Sequence, residues 1–174
     1  MDRFILSDDL LTGADDIDAQ HRQLFDIANR VFACARQCGN AEREFFDAVS
    51  FLSDYVHYHF AAEEHAMAEL GYPERELHRQ AHADFRQLLG EIVTESLEAP
   101  NVGDLSVRLG EMIEGWLTAH IGEADKALAR FLRHLTAAGL DMLPSADVLA
   151  ESGTINERAA HAGRHPSAIG RLRG

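Results

Sequence analysis

The sequence is poor in long apolar runs, in cysteine and in basic residues, and each scarcity excludes a class of protein. No apolar run approaches the ~18–20 residues that a membrane-spanning helix needs, so we expect no membrane partner. The opening stretch MDRFILSDDLLTG lacks the basic segment and the longer apolar segment of a signal peptide, so we expect a cytoplasmic protein. Two cysteines, Cys34 and Cys38, are too few for a disulfide framework and are expected to stay reduced.

Basic side chains are outnumbered by acidic ones. The chain has 16 Lys and Arg against 29 Asp and Glu, which gives a formal net charge of -13 at pH 7. A surface of this sign repels a phosphate backbone, so we expect no nucleic-acid partner. The charge is uneven, because the four acids and four arginines of residues 137–174 cancel one another. Residues 1–136 therefore carry the entire net charge of -13.

Four long stretches have apolar residues at helical spacing. They cover about residues 17–38, 42–70, 74–97 and 104–137, and short segments with glycine, asparagine or proline separate them. The buried stripe expected on the third stretch is Leu77, Ala81, Phe85, Leu88, Leu89 and Ile92. No run of alternating β-branched residues competes with this interpretation.

Long helices with short connections predict an all-α, up-down-up-down four-helix bundle. We assign the bundle to residues 1–138, of which the first ~14 form an N-terminal arm laid on the helices. Residues 139–174 are expected to be a C-terminal extension with a short helix followed by loosely ordered chain.

Each predicted helix has side chains of the kinds that bind metals. They are His21 on the first, His59 and Glu63 on the second, His78 and His82 on the third, and His120 and Asp125 on the fourth. Residues four apart share a helix face, so His59 pairs with Glu63 and His78 with His82. Within the stretch HYHFAAEEH, residues 57–65, the pair His57 and Glu64 is equally self-consistent, and local spacing does not choose between the two.

Five imidazoles and two carboxylates form a donor set that suits iron, because carboxylates bridge two ions and neutral imidazoles complete them without adding charge. Taken alone, each pair is more often a solvated or structural pair than a metal site. One such feature on each of four consecutive helices is hard to obtain by chance. Ferritin-like carboxylate proteins use Glu-x-x-His motifs, and the sequence has none.

The segments that hold these residues resemble the signature of hemerythrins, in particular bacteriohemerythrins. The matching segments are Asp18-Ala19-Gln20-His21, then His59-Phe60-Ala61-Ala62-Glu63-Glu64 followed by Met67, His78-Arg79-Gln80-Ala81-His82 followed by Phe85, and Trp116-Leu117-Thr118-Ala119-His120-Ile121 followed by Asp125. The resemblance runs from the N-terminal arm to about residue 136 and does not cover the tail. It selects His59 with Glu63 over His57 with Glu64.

The resemblance implies a non-haem centre of two iron ions. His78, His82 and His120 would bind one iron, and His21 and His59 the other. Glu63 and Asp125 would bridge the ions together with an oxo or hydroxo group. The second iron is then one ligand short, and at this position the family binds dioxygen. The implied function is reversible dioxygen binding for storage, delivery or sensing, without catalysis, with nitric oxide as a second candidate ligand and a monomer as the implied state.

The spacing of His120 and Asp125 conflicts with a regular helix, since five residues turn about 140° around an ideal α-helix. We predict a π-bulge near Gly122, which would bring both side chains onto one face. A regular α-helix through 118–126 with Asp125 facing solvent would refute this prediction.

Several neighbours of the expected ligands are assigned by the same resemblance. Leu24, Phe60, Trp116, Leu117 and Ile121 would form the pocket that shelters dioxygen, although all five are equally compatible with an ordinary core. Among the remaining polar side chains, Glu64 is expected to orient a ligand imidazole. His57 and His65 are expected to lie behind the ligands or in solvent, and His134, His161 and His165 away from the site.

Three other functions stay open at this point. One is a di-iron oxidase or peroxidase on the same bundle. Another is a regulatory module whose tail signals to a protein partner that the sequence does not identify. The last is a structural bundle that is metal-free or binds zinc.

Overall fold

The computed structural model describes residues 3–34, 41–98 and 102–137 and is all-α over these ranges. The helices are α1 (Asp15–Cys34), α2 (Ala41–Glu69), α3 (Arg75–Glu98), α4 (Gly103–His120) and α5 (Lys126–Ala137). A five-residue π-helical turn, Ile121–Asp125, joins α4 to α5 without a break, so that the two make the fourth rod of the bundle. The predicted all-α four-helix bundle is confirmed.

The four rods enclose a large apolar core, and Met67, Tyr72 and Leu128 form a smaller cluster separate from it. α1 packs on α2 and α4, and α3 packs on the other sides of the same two helices. Fully buried side chains from three rods meet in the middle of this core, among them Leu24, Phe45, Leu52, Leu109 and Ile113. α1 and α4 are close together at Gly110, where an added Cβ would lie only 3.0 Å from Cβ of Phe32. A larger residue at Gly110 would force these helices apart.

The buried face of α3 differs from the predicted stripe. Leu77 is 74% exposed and Leu88 is 43% exposed, so the prediction that both are core residues is wrong. The buried positions are His78, His82, Phe85, Leu89, Ile92 and Ser96, which follow one another at alternating steps of four and three. The two histidines point inward, and this orientation turns Leu77 outward because it lies ~100° from His78 around the helix.

The N-terminal arm lies on the bundle, as the sequence predicts. The Asn29 side chain accepts hydrogen bonds from the backbone N–H groups of Arg3 and Phe4 and donates one to the Phe4 carbonyl. Further along, the buried Asp18 carboxylate accepts hydrogen bonds from the backbone and hydroxyl of Thr12, both at 2.8 Å. Arg133 of α5 donates to the Thr12 carbonyl at 2.6 Å. The arm thus ties the start of α1 to the fourth rod.

Some predictions fall outside the described ranges. The C-terminal extension, residues 139–174, is among them, as are Cys38, His161 and His165. Cys34 is buried, and its thiol donates to the Arg30 carbonyl. Within the part of the chain that the structure describes, no helix is long and apolar enough to cross a membrane.

Candidate metal centre

The seven side chains singled out in the sequence meet inside the bundle, and each is 6% exposed or less. Their donor atoms form two groups that share one carboxylate. The first group, called here the three-histidine cluster, is His78, His82 and His120 with Glu63. The second, called the two-histidine cluster, is His21 and His59 with Glu63 and Asp125.

In the three-histidine cluster, three ring nitrogens converge. Nε2 of His120 lies 3.0 Å from Nε2 of His78 and 3.1 Å from Nε2 of His82. Three neutral imidazoles cannot satisfy one another in this way, because each has one N–H and one lone pair. Donor atoms ~2.1 Å from one ion and at right angles to each other lie ~3.0 Å apart. The spacing therefore suits three ligands of a common ion.

The Glu63 carboxylate lies between the two clusters, with one oxygen toward each. Its Oε2 is 3.4 Å from Nε2 of His78 and 3.3 Å from Nε2 of His82. Its Oε1 lies 3.9 Å from Nε2 of His59. A carboxylate placed in this way has the geometry of a bridging ligand.

Asp125 is placed in the same manner. Its Oδ1 lies 3.2 Å from Nε2 of His78 and 3.1 Å from Nε2 of His120. Its Oδ2 lies 3.1 Å from Nε2 of His21. The π-helical turn Ile121–Asp125 makes this placement possible, since it turns Asp125 inward to the face of His120. The predicted π-bulge is confirmed, and Asp125 is buried.

Most of these donor atoms have no hydrogen bond. Both oxygens of Glu63, both oxygens of Asp125 and both ring nitrogens of His21 are buried without a hydrogen-bond partner in the described part of the chain. Two ionised carboxylates side by side in a low-dielectric interior are costly. Cations between them would remove that cost, so the donor set fits a pair of metal ions.

Two imidazoles of the clusters are fixed in orientation, because each donates from Nδ1 to a polar side chain behind it. Nδ1 of His82 lies 3.1 Å from Oε1 of Glu64, and Nδ1 of His59 lies 2.7 Å from Oε1 of Gln20. A carboxylate or amide oxygen only accepts, so each Nδ1 has the proton and each Nε2 presents its lone pair to the centre. This is the tautomer that a metal ligand requires.

The surroundings also set the protonation states. Burial lowers the pKa of His59 to about 4, which keeps this imidazole neutral. Burial and the adjacent Asp125 raise the pKa of Glu63, but the surrounding imidazoles outweigh both and hold it below its usual range. Burial likewise raises the pKa of Asp125, and His120, His21 and His78 lower it further than burial raises it. Both carboxylates are therefore ionised at neutral pH, as metal binding requires.

Comparison with known proteins agrees with this geometry. Residues 12–132 match the family model described as the hemerythrin HHE cation binding domain. The chain belongs to the hemerythrin family. A bacteriohemerythrin of Stenotrophomonas maltophilia is 32% identical over 125 residues, which cover 72% of this chain and 78% of the relative. A bacteriohemerythrin of Clostridium acetobutylicum is 27% identical over 128 residues, covering 71% of this chain and 96% of the relative.

A solved structure described as a mutant of hemerythrin has the same fold. It matches with a TM-score of 0.65 and 25% sequence identity, covering 75% of this chain and 97% of that one. The resemblance drawn from the sequence is thus confirmed at the level of the family.

Three of the histidines that the sequence sets aside lie in the described part of this hemerythrin-family chain, and all three are away from the centre. His57, His65 and His134 are exposed, whereas His59 is buried. Of the two stripes in residues 57–65, the structure turns the one with His59 and Glu63 inward. Glu64 is half-buried and contacts His82, as the sequence predicts for a residue that orients an imidazole.

The five predicted pocket residues lie in or against the apolar core. Leu24, Phe60, Leu117 and Ile121 are buried, and Trp116 is partly buried. Phe60 stacks on the His82 ring with centroids 3.8 Å apart, and Trp116 stacks on His120 at 4.2 Å. Both aromatic rings therefore cover the three-histidine cluster. A role of the five residues in sheltering dioxygen stays a prediction.

Sequence reasoning missed two polar residues beside the centre. Gln20 contacts His59 across 39 positions of sequence, and its only signal was a place next to His21 in the first matching segment. Arg86 donates to Glu64 at 2.9 Å and lies over the Phe60 ring, 5.0 Å from its centroid. Arg86 lies four residues after His82, so it shares that side of α3, but an arginine is not a metal ligand and the ligand pattern therefore does not mark it.

Proposed function

We propose that this chain binds two non-haem iron ions and takes up dioxygen reversibly. The observation that supports this most strongly is the placement of Glu63 and Asp125. Each is buried, each has one oxygen toward either cluster, and neither makes a hydrogen bond in the described part of the chain. Such an arrangement leaves two buried negative charges to be neutralised by cations that both carboxylates share.

The ligands divide unequally between the two ions. His78, His82 and His120 would hold one iron, and His21 and His59 the other. Glu63 and Asp125 would bridge them, with an oxo or hydroxo group as the third bridge. The iron of the two-histidine cluster then has one protein ligand fewer. We propose this position as the place where dioxygen, or nitric oxide, is taken up.

The bound ferrous ions would supply the electrons that dioxygen binding requires, and the protein would supply the surroundings. Gln20 and Glu64 hold the imidazoles of His59 and His82 in the ligating tautomer. Phe60 and Trp116 would shield the three-histidine cluster, on which they stack, and Leu24, Leu117 and Ile121 would add to the apolar surroundings that exclude water and protons. Water exclusion favours reversible uptake over irreversible oxidation of the iron.

The donor set favours a carrier or sensor over an oxidase. Five imidazoles and two carboxylates stabilise high-valent iron less well than a site of four carboxylates does. We therefore propose storage, delivery or sensing of dioxygen as the physiological use.

Reversibility of the visible spectrum tests this proposal. The metal-free protein is loaded anaerobically with ferrous iron, exposed to air and then returned to argon. We expect two iron ions per chain and a visible absorption band that appears in air and disappears under argon. A permanent spectral change with substrate turnover would instead identify an oxidase. Fewer than two ions and no band would refute the di-iron centre.

A pair of variants serves as the internal control. His59→Ala removes a proposed ligand, so it should lose iron and the reversible band. His57→Ala changes an exposed histidine two positions away and should behave as the parent chain does. Loss of iron in both variants, or in neither, would contradict the assignment of His59.

A further inference from the structure

A cleft of about 490 Å³ lies between α3, α4 and the π-helical turn, next to the three-histidine cluster. We call it the acidic cleft. Its wall includes the carboxylates Glu74, Asp84 and Glu123 and the proposed ligands His78 and His120. Because every proposed ligand is nearly or fully buried, an ion in solvent needs an opening of this kind to reach the centre.

Apart from its two histidines, the charged side chains that line the acidic cleft are all negative. The three carboxylate side chains are exposed, and among the described residues neither lysine nor arginine lines the cleft. Glu74 accepts a hydrogen bond from the Tyr72 hydroxyl, and Asp84 accepts one from the Gln80 amide. Both partners are neutral, so they leave the negative charge in place. A concave surface of one sign concentrates ions of the opposite sign and speeds their association.

A second, independent feature points to a metal ion as the occupant. His78 is 3% exposed and forms part of the cleft wall, and its Nδ1 has no hydrogen-bond partner in the described part of the chain. The Nδ1 atoms of His59 and His82, in contrast, are both held. His120, the other ligand in the wall, is the most exposed of the seven at 6%. The lining of the cleft thus includes two imidazoles that belong to the three-histidine cluster.

We propose that the acidic cleft is the route by which a hydrated divalent metal ion enters the centre, an inference that rests on the proposed di-iron function. Glu74, Asp84 and Glu123, called here the rim carboxylates, attract the ion as hard oxygen ligands and replace part of its water. His78, whose ring is not fixed from behind, then receives the ion and passes it inward to Glu63 and Asp125. No electron is transferred in this step. The ion gives up bound water, and any proton that it displaces from a ligand imidazole goes to solvent.

Cobalt(II) uptake measures this route directly, without any oxygen chemistry. Cobalt(II) is mixed with the metal-free full chain in a stopped-flow instrument. Uptake is followed by the visible bands of bound cobalt and by quenching of Trp116, the single tryptophan, which lies in the cleft wall. Equilibrium dialysis gives the number of ions bound per chain.

The first variant neutralises the rim by Glu74→Gln, Asp84→Asn and Glu123→Gln. The matched control neutralises three exposed acids of α1 and α2, by Asp26→Asn, Glu42→Gln and Asp54→Asn, so both variants have the same net charge. We expect the rim variant to take up cobalt about tenfold more slowly, with less dependence on salt, and still to bind two ions at equilibrium. The control should keep the rate of the parent chain.

A steric pair tests the same route without changing charge. Ala81→Phe places a ring in the cleft wall, whereas Ala83→Phe places the same ring on the exposed side of α3 outside it. Uptake should slow at least several-fold in the first and stay unchanged in the second. Circular dichroism shows which variants are folded, and the charge variants decide the matter if Ala81→Phe does not fold.

The outcomes separate the route from the centre. Equal uptake rates in the rim variant and its control would overturn the route while leaving two bound ions and the di-iron proposal intact. Fewer ions bound at equilibrium by the rim variant would also overturn it, because the acids would then be ligands. No cobalt bound by the parent chain would reject the metal centre and the route together.

Discussion

Oε1 of Glu64 on α2 lies 3.1 Å from Nδ1 of His82 on α3 and accepts a second hydrogen bond, at 2.9 Å, from Arg86. The carboxylate therefore links a buried imidazole to a partly exposed guanidinium. The pKa of Glu64 is lowered because the Arg86 and His82 hydrogen bonds outweigh the effect of burial, which raises it. Glu64 thus stays ionised and holds the N–H of His82 in one orientation.

Replacing Glu64 should weaken iron binding without removing a ligand. We expect Glu64→Ala to lower iron affinity about 10–100-fold, since partners behind a ligand imidazole contribute on this scale. Glu64→Gln keeps an acceptor oxygen and should lose less. Titration against a competing chelator measures both. The interpretation fails if Glu64→Ala binds iron as tightly as an exposed control, Glu69→Ala, does.

The π-helical turn allows a direct test of the five-residue spacing between His120 and Asp125. In the double variant Ala124→Asp, Asp125→Ala, the carboxylate moves to the position four residues after His120, which suits a regular α-helix. We expect this variant to bind fewer than two iron ions, because the π-turn aims position 125, and not 124, at the centre. The control Ala124→Asp alone retains Asp125 and should bind two. Full iron content in the double variant would show that the turn does not fix the position of the carboxylate.

Apolar periodicity predicts the fold, whereas the choice of the seven converging side chains also rests on the resemblance to hemerythrins. Stripes of apolar residues define four helices, and the spacing conflict at Asp125 itself indicates the π-bulge. The sequence does not show which of two neighbouring stripes on α3 faces inward. Leu77 and Leu88 suggest one face, whereas His78 and His82 occupy the other, and the histidines take the buried positions here.

Helical periodicity does not predict contacts between residues that are far apart in the sequence. The approach of Gln20 to His59 and of Arg86 to Glu64 depends on how α1, α2 and α3 pack together. The acidic cleft has the same origin, because Glu74, Asp84 and Glu123 come together only when α3 lies beside the π-turn. Side-chain spacing within one helix has no information about these distances.

The corrected face of α3 predicts opposite effects for two leucines. Leu89→Ala should lower the free energy of unfolding by about 2–5 kcal/mol, because it leaves a cavity in the core. Leu77→Ala should change it by less than about 0.5 kcal/mol, because Leu77 is exposed. Urea unfolding of the metal-free protein measures both. Similar losses in the two variants would contradict the assigned burial.

The metal-free protein should be most stable near pH 6.5, the ordinary pKa of histidine. Burial lowers the pKa of His59 to about 4, so between pH 6.5 and 4 the unfolded chain takes up a proton that folded His59 does not. Stability therefore falls as pH falls through this window.

Burial also lowers the pKa of His78, but Asp125 and Glu63 raise it more, to about 9. Above pH 6.5 the folded chain keeps that proton and the unfolded chain loses it, so stability falls again as pH rises.

Thermal melts of the metal-free protein between pH 4 and 8.5 measure this profile. The variant His78→Gln separates the acid and alkaline losses of stability, since it removes the group responsible for the loss above pH 6.5. Its Tm should stay nearly constant from pH 6.5 to 8.5, and it should still fall as the pH is lowered below 6.5. An alkaline decline of the same size in the variant would show that His78 does not cause it.

The most direct test of the whole account is the ratio of dioxygen to iron in one reversible cycle. Ferrous-loaded protein is titrated with dioxygen in a sealed cell, and the gas released under vacuum is then measured beside total iron. The account predicts two iron ions per chain and one dioxygen taken up and released for each pair. Iron near one ion per chain, or dioxygen that is consumed and not returned, would contradict it.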